Sequence, residues 1–111
     1  MTTIEVTLNK THKFVLTCKN HSQHDICIAI SALVSSIIQY AKDFESNDRC
    51  VISKLIYEYG NVEIEMKFES RFFKKDFVRG IDAILTGFEL YQENFKDEVK
   101  FIKNHLPRGD I

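Results

Sequence analysis

Hydrophobic periodicity predicts an α+β fold in the order β-β-α-β-β-α-(β), an antiparallel-rich sheet packed with two helices. Three observations carry this. Ile4, Val6 and Leu8 alternate with Glu5 and Thr7, as in a half-buried strand. Val62, Ile64, Met66 and Phe68 alternate with Glu63, Glu65, Lys67 and Glu69 in the same way. Between and after these stand two long stretches of helical spacing.

The elements follow in chain order. Ile4 to Leu8 opens the chain as a strand, Asn9 to His12 makes a turn, and Lys13 to Thr17 returns as the second strand. A polar loop, Cys18 to His24, leads to a helix with Asp25 as N-cap, running from Ile26 to about Phe44. Its apolar residues wrap most of the way round, so a sheet, the other helix or a second subunit must cover more than one side. After the polar loop Asp43 to Arg49, Val51 to Tyr59 and Val62 to Phe68 flank the turn Gly60-Asn61, where glycine accepts positive φ. Phe73, Phe77, Ile81, Ile84, Leu85, Phe88 and Tyr91 define a second amphipathic helix to about Gln92. Gly80 and Gly87 on it point to close packing against a neighbour, since each weakens a helix relative to alanine. Val99 to Ile102 reads as a short last strand, and residues from about 104 to 111, with the lone Pro107, as a mobile tail. One domain over 1–111 is the expected organisation.

Composition narrows the function. Fifteen basic and sixteen acidic residues give a formal charge of -1, without the basic footprint of a nucleic-acid binder or a membrane-surface protein. Three cysteines cannot all pair within one chain, which suits a reducing, cytoplasmic compartment. No signal-peptide hydrophobic region opens the chain, and the apolar stretch Ile26 to Ile38 falls short of the roughly 20 residues a bilayer span requires. Arg108-Gly109-Asp110 matches an adhesion tripeptide, a coincidence in a cytosolic chain.

The chemistry concentrates in His21 to Ser31, HSQHDICIAIS. With Asp25 at the cap, Cys27 is the second helical residue, where unpaired N–H groups and the helix dipole stabilise a thiolate. If Ser22 caps instead, with Asp25 as the acid of a capping box, Cys27 lies a turn deeper. His21 and His24 are each placed to act as general base to such a nucleophile. The competing reading makes Cys27 a small buried hydrophobe and the histidines solvated loop residues. Asp25 orients a histidine or simply caps the helix. Ser31, one turn on, lies on nearly the same face, as a hydrogen-bonding neighbour of the thiol or a small residue allowing close packing. Cys18, His21, His24 and Cys27 are also zinc-ligand types, but their every-third-residue spacing is unlike common structural sites. A small zinc-binding module is therefore the less favoured reading. Cys50 reads as buried filler.

The run Asp25-Ile26-Cys27-Ile28-Ala29-Ile30-Ser31-Ala32-Leu33, with the order of elements, resembles the ribosomal-processing cysteine protease family (Prp, YsxB-like). Members carry a Gly-His dipeptide after the second strand, a flexible loop, then Asp-Ile-Val-Cys-Ala-Ala-Val-Ser-Ala-Leu. Leu85-Thr86-Gly87-Phe88 and the closing Val99-Lys100-Phe101 fall where the family has its own segments. The resemblance implies a homodimer with Cys27 as nucleophile and Asp25 and Ser31 in supporting positions. It implies removal of an N-terminal extension from a large-subunit ribosomal protein, or processing of phage structural proteins, with no cofactor. The chain departs from the family at Cys18-Lys19, where Gly-His would stand, and in its loop, since only residues 19 to 26 separate Cys18 from Cys27. His21 or His24 would then serve as base from a shifted position, or the chain is an inactive dimer that binds a ribosomal protein.

Overall fold

In the computed structural model, which describes residues 1–8 and 12–104, two helices lie on one face of a five-stranded sheet. The elements are β1 (Thr2–Leu8), β2 (Lys13–Lys19), α1 (His24–Ser46), β3 (Cys50–Glu58), β4 (Asn61–Phe68), α2 (Arg71–Asn94) and β5 (Val99–Asn104). The strand order is β3-β4-β2-β1-β5. Every neighbouring pair is antiparallel except β1 and β5, which run parallel. The α+β order β-β-α-β-β-α-β expected from the sequence is the observed one.

Alternation sorts the sheet's two faces. Ile4, Val6 and Leu8 of β1, Phe14 and Leu16 of β2, and Ile64, Met66 and Phe68 of β4 are buried beneath the helices. Residues between them carry the outer face, where Lys13 pairs with Glu65 at 2.9 Å and Lys54 with Glu63 at 3.0 Å. Pairs so open to solvent add little stability. Their service is to keep that face wet.

Phe77 of α2 is fully buried and stands at the centre of an aromatic cluster. Phe14, Tyr40, Phe44 and Phe68 surround it at centroid distances of 5.2, 5.3, 5.2 and 5.5 Å. The seam between helices is close, as the two glycines suggest. A Cβ on Gly80 would collide with the Tyr40 hydroxyl and ring, and one on Gly87 would touch Leu33 Cδ1 at 3.4 Å.

Several boundaries differ from the sequence reading. The N-cap of α1 is Gln23, not Asp25, and neither Asp25 nor Ser22 caps it with a side chain. Ser22 is drawn elsewhere, and the Glu98 carboxylate accepts the Gln23 N–H at 3.2 Å instead. At its other end α1 runs on to Ser46, because the Asn47 side chain and N–H both bond Asp43 O. Its 23 residues are long and apolar enough to cross a bilayer, more than the stretch Ile26 to Ile38 suggests. Here the helix instead buries Ile26, Ile30, Val34, Ile37, Ile38, Ala41 and Phe44 in the core, leaving Ile28 exposed. α2 starts at Arg71, capped by Ser70, whose hydroxyl accepts the Phe73 N–H. Asn104 belongs to β5 rather than to a tail, and its amide donates to the Glu5 carboxylate at 2.6 Å. The rest of that tail, 105–111, and turn residues 9–11 lie outside the described residues.

Candidate active site

One end of the sheet gathers the residues of interest. β1 opens there with Thr2, β2 closes with Cys18 and Lys19, and the β3–β4 turn lies alongside, since Lys19 pairs with Asn61 and Cys18 with Val62. α1 starts over this same end. A bulge between Ile52 and Lys54 keeps Leu55 opposite Ile64 and Tyr57 opposite Val62. Tyr57 thus reaches the helix side of the sheet, and its hydroxyl hydrogen-bonds Ser35 of α1.

These elements enclose a pocket of about 290 Å³. Cys27, Ile30, Ser31 and Val34 supply the helix wall, Cys18 and Val62 lie on the sheet side, and His21, Tyr57, Tyr59 and Gly60 close the corner. A second hollow, on the outer side of α1, is lined by His24, Cys27, Ile28, Ser31, Ser22 and Tyr59. Cys27 and Ser31 border both hollows. His21 therefore shares one with the thiol and His24 the other, while Asp25, exposed on the helix surface, lines neither.

The placement of Cys27 corrects the sequence reading. With Gln23 as cap, Cys27 is the fourth helical residue, and its N–H already donates to Gln23 O at 2.9 Å. The donors without an intrahelical acceptor are those of His24, Asp25 and Ile26. Any help to a developing oxyanion from this helix comes from them.

The loop is fastened on both sides of His21. Asn20 adopts φ +70, a left-handed conformation that asparagine tolerates, and its N–H donates to Gly60 O at 2.9 Å. Ser22 Oγ accepts the Thr2 N–H at 3.1 Å, lies 2.6 Å from Thr2 Oγ1 and donates to Glu98 O at 2.5 Å. Held this way, the His21 ring stacks on Tyr59, centroids 4.0 Å apart and planes 25° apart. It also lies so close over Gly60 that a Cβ there would strike its Cε1 and Nε2 atoms. Gly60 has φ +76, so it is glycine on both counts.

Sequence reasoning did not single out Tyr59, Gly60 or Asn20 as parts of the site. The one available signal was the Gly60-Asn61 turn, whose place beside His21 depends on the β2–β4 pairing. The run of zinc-ligand types does not converge: among the described residues, no three of His, Cys, Asp or Glu are grouped to hold a metal.

The other two thiols have different surroundings. Burial pushes Cys18 up to about 11, with the nearby Cys27 adding to the effect and Lys19 opposing it. Cys50 is buried as expected, with Sγ 3.8 Å from Ala41 O, and its thiol is likewise pushed up to about 11 by burial.

Solved α+β structures share this architecture. A crystal structure of an essential ribosomal processing protease, Prp from S. aureus, with a covalently linked product peptide, superposes with a TM-score of 0.67. It is 13% identical and covers 93% of this chain and 99% of that one. SMU.848 from Streptococcus mutans superposes at 0.61 with 17% identity, covering 95% of this chain and 99% of its own. The chain thus has a Prp-like fold. No family model and no curated protein matches the sequence.

Proposed function

We propose that this chain is a cysteine peptidase of the Prp type, acting in the cytoplasm on an extended peptide such as the N-terminal extension of a ribosomal protein. The observation that carries the reading is the shared pocket of Cys27, His21 and Ser31 at the start of α1, on a Prp-like fold. A neighbour with that fold holds a covalently linked product peptide.

In this mechanism a histidine of the 21–24 loop takes the Cys27 proton, and Sγ attacks the scissile carbonyl carbon. The oxyanion is met by free N–H groups of the first turn of α1. The C–N bond breaks as the imidazolium protonates the leaving amine. Water, deprotonated by the same imidazole, then releases the acyl group from sulfur. Ser31 lines the pocket on the Cys27 face, where its hydroxyl is available to the peptide backbone. The resemblance gives Asp25 a supporting role. Its exposed position on the first turn suits an influence through the helix terminus rather than contact with substrate.

The direct test is cleavage of peptides carrying ribosomal-protein N-terminal extensions, followed by mass spectrometry. Wild-type protein cuts one of them and Cys27→Ala does not. A second reading has its own support: Cys18-Lys19 stands where the family has Gly-His, which favours a binding protein without turnover. Tight peptide binding by wild type and Cys27→Ala alike, with no cleavage by either, would establish that reading. A homodimer belongs to both, and the exposed Ile28 on α1 is available for it. Light scattering reads the mass.

A further inference from the structure

We infer that Tyr59 is a positioning residue that holds His21, and not His24, as the base partner of Cys27. The inference rests on the peptidase reading above and deepens it by choosing between its two histidines.

The two rings are held very differently. Both residues are exposed, but His24 is the first residue of α1, and among the described residues its side chain makes no hydrogen bond or ring contact. Its ring is free to sample several rotamers, and ordering it in a reaction costs conformational entropy. His21 is restrained at every level. Asn20 on one side is tied to Gly60 O, and Ser22 on the other is tied to Thr2 and Glu98. One ring face lies against Tyr59, and the Cε1–Nε2 edge sits over the bare Cα of Gly60. A base must be held to about half an ångström and 10–20° to act efficiently, and supporting groups that lock its rotamer supply this.

Tyr59 has little other structural employment. It is 87% exposed at a hairpin corner, so it contributes almost nothing to the core. Its ring is accounted for by the stack with His21 and by its place on the walls of both hollows beside Cys27. The hydroxyl is not needed for a ring stack, so phenylalanine should replace it.

The experiment measures the rate of Cys27 carbamidomethylation by iodoacetamide between pH 5 and 9. The variants are Tyr59→Leu, Tyr59→Phe, His21→Ala, His24→Ala and the double variant Tyr59→Leu/His21→Ala. Ring-proton shifts of His21 by NMR report the stack independently. We expect His21→Ala to slow Cys27 at pH 7 about tenfold or more and His24→Ala to slow it less. Tyr59→Leu should slow it several-fold, within the roughly hundredfold that misplacing a catalytic group costs. Tyr59→Phe should retain both the rate and the ring-current shift of His21. Adding Tyr59→Leu to His21→Ala should change nothing more, because a residue that acts through another loses its effect when that other is gone.

Equal rates for Tyr59→Leu and wild type, with His21→Ala slow, would overturn the inference and leave the peptidase reading intact. So would an undiminished Tyr59→Leu effect in the absence of His21, since Tyr59 would then act on the pocket directly. A greater loss in His24→Ala than in His21→Ala would reverse the choice of base. Indifference of Cys27 to both histidines would remove the peptidase reading, and this inference with it.

Discussion

The imidazole of His21 lies 4.0 Å from the ring of Tyr59, joining a loop after one hairpin to the corner of another. The pairing of Lys19 with Asn61 makes this possible, because it sets the end of β2 beside the turn that carries Gly60. The pocket beside Cys27 is thus built by a sheet register as much as by the helix that bears the thiol.

Ser22 should matter more than a loop serine usually does. Its hydroxyl bonds Thr2 N–H and Glu98 O, tying the histidine loop to β1 and to the segment before β5. Ser22→Ala should cost about 1–2 kcal/mol, the range for losing hydrogen bonds of this kind. It should also speed amide exchange at Asn20 and His21 while leaving β4 unchanged. Unaltered exchange in the loop would show that Ser22 does not hold it.

Iodoacetamide at pH 7 should modify Cys27 before the other thiols of the folded protein. Cys18 and Cys50 are both pushed up to about 11, so about one molecule in ten thousand holds either as thiolate at that pH. Cys27 borders two hollows. Peptide mapping should find the label on Cys27 alone, with Cys18 and Cys50 labelled after denaturation. Early labelling of Cys18 would show that its surroundings do not hold that thiol in the protonated form.

Stability should fall on the alkaline side. Ordinary thiols ionise near 9.0, whereas Cys18 and Cys50 keep their protons in the folded chain to about 11. Between those values the unfolded chain has lost protons that the folded chain retains, so rising pH favours unfolding. This contribution is fully present below pH 9 and is gone above about 11. The Tyr40 hydroxyl, raised by burial and by Asp76, acts in the same direction. Tm measured from pH 8 to 11 should drop, and a Cys18→Ala/Cys50→Ala variant should drop less steeply. Identical slopes would show that the thiols do not carry the effect.

Phe77→Ala should be among the most damaging core substitutions. Four aromatic rings pack around that side chain, and removing it opens a cavity between α2 and the sheet. A loss of about 3–5 kcal/mol is expected for such a truncation, read from urea unfolding. Phe72→Ala, at a ring 71% exposed, should cost far less. Comparable losses at the two positions would show that the cluster does not centre on Phe77.

Much of the fold was legible in the residues, because one wet face imposes period two on a strand and one buried stripe imposes 3.6 on a helix. Ile4-Val6-Leu8, Ile64-Met66-Phe68 and Phe77-Ile81-Leu85-Phe88 each declare their element and its inner face. Gly80 and Gly87 declared a close helix seam for the same local reason. Helix ends were less legible. Asp25 looks like a cap by type, but a cap depends on which acceptor the incoming chain brings near, and Glu98, far along the chain, supplied one to Gln23. The residues of Cys27, His21, His24 and Ser31 could be named as candidates from their chemistry. Their division between two hollows, the parallel pairing of β5 with β1 and the clamp of Tyr59 and Gly60 on His21 could not. Those arrangements arise from strand register and the path of distant segments, and local periodicity carries no information about either.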